Sequence, residues 1–312
     1  MLRYIVKRLL IMVITLWMIV TLTFVLMVSI PGSPFNSENS SNEVVQENLE
    51  KHYHLDQPYV IQYLLYIKSI ITFDFGPSIK QSNQSVNDLL WRGFPISFEL
   101  GIVTIVVAVI SGVTLGVIAA LRHNGVIDYM AMAFAVLGIS IPNFILATLL
   151  IQQLAVNAEI FPVARWSSPQ HMILPVLALA TGPMAIIARL TRSTMLEVLT
   201  QDYIKMARAK GLSPGKIIIK HALRNALMPV ITIMGTLLAG ILTGTFVIEQ
   251  IFAIPGMGKY LVESINQRDY PVIMGTTVFY SSFLIVMLFL VDIAYGLLDP
   301  RIKVHQEGGE RQ

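Results

Sequence analysis

Two stretches come close to a phosphate-binding loop and neither completes one. Gly211-Leu-Ser-Pro-Gly-Lys-Ile217 is one residue short between its glycines and has Ile where the metal-binding hydroxyl belongs. Ala253-Ile-Pro-Gly-Met-Gly-Lys-Tyr260 lacks both the first glycine and the hydroxyl. His52 and His54 are the one close imidazole pair; without a third ligand they read as a solvated surface rather than a metal site. The absence of cysteine excludes disulfides, thiolate metal sites and cysteine nucleophiles, and no HExxH motif is present. If ATP powers this protein, hydrolysis is expected on another subunit.

What the chain does concentrate is positive charge. Arg189, Arg192, Lys205, Arg208, Lys210, Lys216, Lys220 and Arg224 lie in or just before the polar stretch from Glu197 to Pro229. Within it, Gln201 to Lys210 reads as a short helix that Gly211 ends in a left-handed cap. Ser213 is placed to cap a second helix, with Pro214 at its first position, where a missing amide hydrogen costs nothing. Tyr203, Met206 and Ala207 fall at i, i+3 and i+4, one apolar stripe that suits a groove on another protein. Arg208 and Lys210 then meet acidic or carbonyl groups at its rim. A basic helix lying on anionic lipid has the same spacing, and spacing alone does not separate the two.

The elements around this island are membrane spans. The chain is 54% hydrophobic and 13% charged, with a mean hydropathy of +0.67; a soluble globule is about one quarter charged. Apolar runs of the roughly 20 residues a bilayer demands occur at Leu9–Ile30, Leu100–Leu121, Tyr129 to about Ala158, Met172–Ala188, Ala226–Ile248 and Val272–Leu298. The first run is too long for a signal peptide and lacks a cleavage site. Pro58–Thr72 is short and carries Gln62 and Lys68, so it reads as interfacial or packed in a small domain. An amphipathic helix is expected before it at Val44, Val45, Asn48 and Leu49, and Asp56-Gln57-Pro58 opens the next helix.

The expected fold is therefore an all-α polytopic membrane protein with six transmembrane helices. Residues 1–30 form the amino-terminal segment and first span, 31–98 an external helical insert, and 99–312 a core with five spans and the charged segment 197–225. With both termini and the island on one side, 15 of the 22 Lys and Arg fall there, as expected of the cytoplasmic face. A net charge of +3 gives no argument for nucleic acid.

Polar features inside the spans are few. Pro142 removes a backbone hydrogen bond and Asn143 offers an amide beside the gap; with Ser140 they suit a polar path, or a packed proline kink. Asp292 is an acid inside the sixth span, functional by default, yet near the end of the span, where a structural partner is easily found. Gly112-Val-Thr-Leu-Gly116 and Gly240-Ile-Leu-Thr-Gly244 are small-xxx-small faces for helix packing, within the chain or against a partner. Glu249, Glu263, Arg268 and Asp269 flank an external loop, where they either meet a delivery protein or are simply solvated.

A set of motifs in fixed order resembles the permeases of the oligopeptide/dipeptide family of ABC importers. They are Leu55-Asp-Gln-Pro58, Asp74-Phe-Gly76, Ser140-Ile-Pro-Asn-Phe144, Ala207-Arg-Ala-Lys-Gly211, Arg224-Asn-Ala-Leu227, Ile254-Pro-Gly-Met-Gly258, Arg268-Asp-Tyr-Pro271 and Asp299-Pro-Arg301. They cover nearly the whole chain, and the long insert resembles that of the first permease of an oligopeptide system. The resemblance implies that Asp202, Tyr203, Met206, Ala207, Arg208, Ala209, Lys210 and Gly211 dock an ATPase. It implies a second related permease, two ATPase subunits carrying ATP and Mg, an external peptide-binding protein, and a place in a bacterial cytoplasmic membrane with both termini inside. No cofactor is expected on this chain. One departure stands out: the family's Glu-Ala-Ala is here Lys205-Met206-Ala207, so the acidic contact is lost or moves to Asp202. Dipeptide and nickel or other metal-chelate importers share the pattern. An autonomous secondary transporter would carry an internal repeat and midplane charges, and neither is evident.

Overall fold

The computed structural model describes residues 2–29, 51, 53–81 and 84–298, and over these the chain is built of helices. In order they are α1 (Leu2–Ser29), α2 (Tyr59–Thr72), α3 (Val86–Leu121), α4 (Val126–Ser140), α5 (Asn143–Leu150), α6 (Gln170–Leu199), α7 (Asp202–Ala209), α8 (Pro214–Lys216), α9 (Leu223–Ala226), α10 (Met228–Ile251), α11 (Met257–Gln267) and α12 (Tyr270–Leu298). Wider π turns continue α5 over Ile151–Asn157 and join α8 to α9 over Ile217–Ala222. The amphipathic helix expected at Val44–Leu49, the Asp299-Pro-Arg301 motif and His52 lie outside the described residues.

Among the described residues, five helices are long and apolar enough to cross a membrane: Ile5–Ser29, Val86–Leu121, Gln170–Leu199, Met228–Ile251 and Tyr270–Val291. Mean hydropathies of 1.8 to 2.7 in their best windows, with backbone hydrogen bonds closed inside each helix, are what a water-free core requires. Two of them outrun the expected spans by more than ten residues at one end. Helix α3 begins at Val86 and its 36 residues reach about 54 Å, so the last part of the expected insert is the first part of a span helix. Helix α6 runs to Leu199 and carries Arg189 and Arg192 on the span's own helix.

The remaining expected span is not one rod. Helix α4 stops at Ser140 and α5 with its π extension resumes at Asn143, the two axes bent by 105°. They make a sixth crossing only if the bent pair counts as one. Pro142 is the N-cap of α5, its carbonyl accepting from the Ile145 and Leu146 amides at 3.0 and 3.1 Å. A proline in mid-helix would bend the chain less; here the preceding residue, Ile141, is extended (φ −89°, ψ 119°), as proline demands of its neighbour.

By compactness the chain divides into one unit of residues 1–96 with 255–286 and a second of residues 97–254 with 287–312. The first packs Val20, Phe24 and Met27 of α1, Tyr66 of α2 and Tyr270, Ile273 and Val278 of α12 into one apolar cluster. The second has two. Ile105 and Ala108 of α3, Ala180 and Ile187 of α6 and Val230, Leu237 and Ile241 of α10 form the larger. Ala120, Met195, Ile204, Ala207, Ile217, Ala222 and Ala226 form the other, at the root of the charged island.

Candidate functional site

The island is a short helix, a sharp turn and a second wound segment. Helix α7 is polar on average, so its amphipathicity alone decides how it lies. Ile204 and Ala207, at i and i+3, are buried in the cluster with Met195, Ile217, Ala222 and Ala226. Tyr203 and Met206 are exposed, 41% and 59%. The expected stripe is thus split: Ala207 faces inward and Ile204 shares its face. Residues 206 and 207 stand about 100° apart on a helix, and the larger Ile204 takes the core because it has more area to bury.

The turn is built from backbone. Gly211 has φ +75°, its amide donating to the Arg208 carbonyl at 2.9 Å, while the Leu212 amide reaches back to Ala207 at 3.3 Å. This pair of bonds closes a helix in a Schellman turn, and Leu212 packs on the same cluster as Ala207, the accompanying apolar contact. A Cβ at Gly211 would meet nothing within 4 Å, so the glycine is there for its φ and not for space. Pro214 opens the second segment as expected. Ser213 stands at the N-cap with extended backbone, but its hydroxyl makes no capping bond.

The two arms are braced across the turn. Asn225 donates from Nδ2 to the Tyr203 hydroxyl at 2.8 Å and to the His221 carbonyl at 3.2 Å. Thr194 of α6 donates to the Ala226 carbonyl at 2.9 Å. Between the arms is an open cup of about 400 Å³ lined by Tyr203, Lys220, His221, Arg224, Asn225 and Met228. Arg208, Lys210, Lys216, Lys220 and Arg224 are exposed and make no ion pair among the described residues. Asp202 is exposed and pairs with Lys205 at 2.9 Å, a surface contact of little energy.

Arg192 does not belong with those cations. Its Nε and Nη2 reach Asp128 Oδ1 and Oδ2 at 2.5 and 2.7 Å, a two-pronged pair in which the carboxylate is 1% exposed. His123 Nδ1 lies 3.3 Å from Arg192 Nη2 and 3.4 Å from Asp128, and the Asn124 amide donates to the carboxylate at 3.0 Å. The pair pins the start of α4 to the last turns of α6, just before α7. Asp128 carried no signal by itself; an acid four residues after Asn124, opening an apolar run, is its only mark in the sequence.

The other singled-out residues are scattered. A Cβ at Gly116 would come within 2.5 Å of the Ala188 carbonyl and 2.6 Å of Thr191, and one at Gly112 within 2.7 Å of the Met184 carbonyl. These two glycines are where α3 and α6 approach. Gly240 differs: among the described residues a Cβ there meets nothing within 4 Å. Gly244 lies within α10, and the side chain of Asp292 is outside what the structure describes. Ser140 is exposed and returns its hydroxyl to the Val136 carbonyl at 2.8 Å.

Two of the loop acids, Glu249 and Asp269, are buried within the chain rather than solvated. Glu249 is 0% and Asp269 2% exposed. Asp269 stands before α12, accepts a hydrogen bond from the Ser78 hydroxyl and takes the Ile79 and Lys80 amides at 3.2 and 3.1 Å. Burial first, and then this carboxylate, push the Tyr53 phenol above its usual range. Glu263 pairs with Lys259 at 3.7 Å.

Compared with known proteins, residues 112–304 match the family described as "Binding-protein-dependent transport system inner membrane component" and residues 1–101 its amino-terminal counterpart. The chain is 74% identical to the dipeptide transport system permease protein DppB of Bacillus subtilis, covering 98% of this chain and 99% of that protein. It is 44% identical to the oligopeptide transport system permease protein OppB of Haemophilus influenzae, over 97% and 100%. Among solved structures, an inward-facing methionine ABC transporter aligns with a TM-score of 0.54 at 20% identity, over 67% of this chain and 94% of that one. At that identity the likeness is one of fold.

Proposed function

The chain belongs to the family of binding-protein-dependent transport system inner membrane components, and from that premise we propose that it is the membrane-spanning subunit of an ATP-driven importer of short peptides. An external binding protein delivers the peptide, a second related permease completes the path, and two ATPase subunits bearing ATP and Mg supply the energy. This chain does no chemistry. It sits in a bacterial cytoplasmic membrane with both termini and the charged island inside. The names of its 74% and 44% identical relatives support dipeptides and oligopeptides as the substrate class.

The observation that carries the reading is the form of the island: an exposed apolar pair, Tyr203 and Met206, ringed by unpaired cations and set on a rigid root. Rigidity comes from the Schellman turn at Gly211, the Tyr203–Asn225 brace and the buried cluster that reaches Ala120 and Met195. A partner that grips Tyr203 and Met206 therefore pulls directly on the ends of α3 and α6, because packed side chains transmit displacement rather than absorb it. With Lys205 in place of the family's glutamate, the grip rests on apolar shape and on Arg208 and Lys210 meeting acidic groups. Closing of the ATPases on ATP then turns the cavity outward, and hydrolysis returns it. The broken α4–α5 junction, with Ser140, Pro142 and Asn143, is the place for a peptide path, since irregular backbone at membrane depth is tolerated where water or protein meets it.

Uptake of labelled dipeptides and tri- to hexapeptides, in cells with and without this chain and with its ATPase partners present or absent, tests the reading. Loss of uptake on deletion, restored only with the partners, is expected. Unchanged uptake of every peptide length defeats the substrate assignment, and transport by this chain alone in vesicles defeats the subunit assignment. Arg208→Glu and Gly211→Pro are expected to abolish uptake while leaving membrane insertion intact.

A further inference from the structure

Helix α2 is held against α1, and the contact falls inside the apolar run of α1. Tyr63 meets Thr21, hydroxyl to hydroxyl, at 2.7 Å. Its ring stands edge-on to Phe24 with centroids 5.3 Å apart, and Tyr66, only 3% exposed, stacks on the same Phe24 at 6.2 Å. Thr21 gives its single proton to the Trp17 carbonyl at 2.8 Å, so Tyr63 is the donor in the pair. The half-buried Tyr63 phenol thus finds its acceptor on the flank of a span helix.

The depth follows from the helix geometry. Thr21 precedes the end of the candidate span at Ser29 by eight residues, or about 12 Å along the axis. The span of 25 residues is roughly 7 Å longer than a hydrocarbon core of about 30 Å. Sharing that excess between its two ends still leaves Thr21 about 8 Å beneath the hydrocarbon surface. The middle of α2 is thus at the level of acyl chains.

The free face of α2 agrees. Val60, Leu64 and Ile71 are 70%, 60% and 79% exposed, where a helix in water would present polar side chains. This surface has the same character as the exposed belt of α1 beside it, at Leu22, Val25 and Leu26, on a helix that must meet lipid. The one charge in α2 is Lys68, long enough to carry its ammonium up to the headgroups while its stem stays apolar. Gln62, in the first turn of α2, turns its Nε2 back to the preceding loop and donates to the Leu55 and Gln57 carbonyls at 3.1 and 2.8 Å.

We propose that α2 is an interfacial membrane helix, its Val60–Leu64–Ile71 face lying against the acyl chains of the leaflet at the carboxyl end of α1. The insert is thereby anchored in the bilayer rather than standing above it. The inference needs neither the substrate nor the direction of transport; under the topology proposed above, the leaflet is the external one.

The absence of cysteine from the chain makes the test direct. Val60→Cys, Leu64→Cys and Ile71→Cys are each given a nitroxide label in the full chain, assembled with its partner subunits in phosphatidylethanolamine/phosphatidylglycerol liposomes. Leu26→Cys serves as the lipid-facing reference and Asp56→Cys as the water-facing one. Collision with oxygen, which concentrates in lipid, is compared with collision with a water-soluble nickel chelate. The oxygen-to-nickel ratio at 60, 64 and 71 is expected to match that at 26 and to exceed that at 56 several-fold. A ratio equal to that at 56 places the helix in water and overturns the proposal. Low access to both probes, with the label covered by another protein, overturns it equally. Peptide uptake by each labelled variant checks that the fold survives, and Ile61→Cys, on the same exposed face, replaces any variant that fails.

Discussion

Two polar regions of this chain treat their charge in opposite ways. In the α7–α9 island, Arg208, Lys210, Lys216, Lys220 and Arg224 point outward, and among the described residues the short exposed pair Asp202–Lys205 is the one ion pair formed. Around Asp269 the carboxylate is buried, and Ser78, Ile79 and Lys80 all donate to it. In sequence both are charged loops between apolar helices. The difference lies in what the backbone nearby leaves unsatisfied. The 78–80 loop offers amides with no helix or strand to take them, and a carboxylate satisfies several at once. The island closes its own backbone through the Gly211 turn, so its charges remain for something outside.

That contrast predicts where substitutions act. Asp269→Ala leaves several donors without acceptor in a buried site and is expected to cost about 3 kcal/mol or more. It shows as a marked drop in the melting temperature of the detergent-purified complex; an unchanged melt would mean the loop does not depend on the carboxylate. Gly116→Ala sets a methyl against the Ala188 carbonyl and forces α3 from α6, at about 2 kcal/mol by the same melt. Gly211→Ala meets open space and pays only the left-handed backbone term, about 1 kcal/mol, and Gly211→Asn is expected to recover part of it. Should Gly211→Ala prove costlier than Gly116→Ala, the distinction between a conformational and a steric glycine fails. Met206→Ser changes stability by no more than about 0.5 kcal/mol, as exposed sites do, yet is expected to lower both peptide uptake and co-purification of the ATPases. Normal uptake with normal co-purification would remove Met206 from the docking face.

Much of the island was legible because its signals are local. Gly211 before Pro214 marks a turn in any context, since one residue tolerates positive φ and the other fixes its own. The stripe on α7 was half read: Tyr203 and Met206 are exposed and Ala207 is not, because the inward side is set by Met195, Ile217 and Ala222 from other helices. The Asp128–Arg192 pair joins residues 64 apart and the Ser78–Asp269 contact residues 191 apart, separations that no spacing rule reaches.

The sequence by itself determined the class of the molecule, five of the helices long and apolar enough to cross a membrane, the left-handed turn and the place where positive charge gathers. Each follows from hydrophobic length or from the allowed φ of single residues, energies a segment carries with it wherever it is placed. Only the tertiary structure decided which charges are used up and which are offered, that α4 and α5 meet at 105° rather than as one rod, and that α2 lies on the flank of α1. Those outcomes depend on which groups distant segments bring to one another, and burying a polar atom is tolerated only where its partner arrives too.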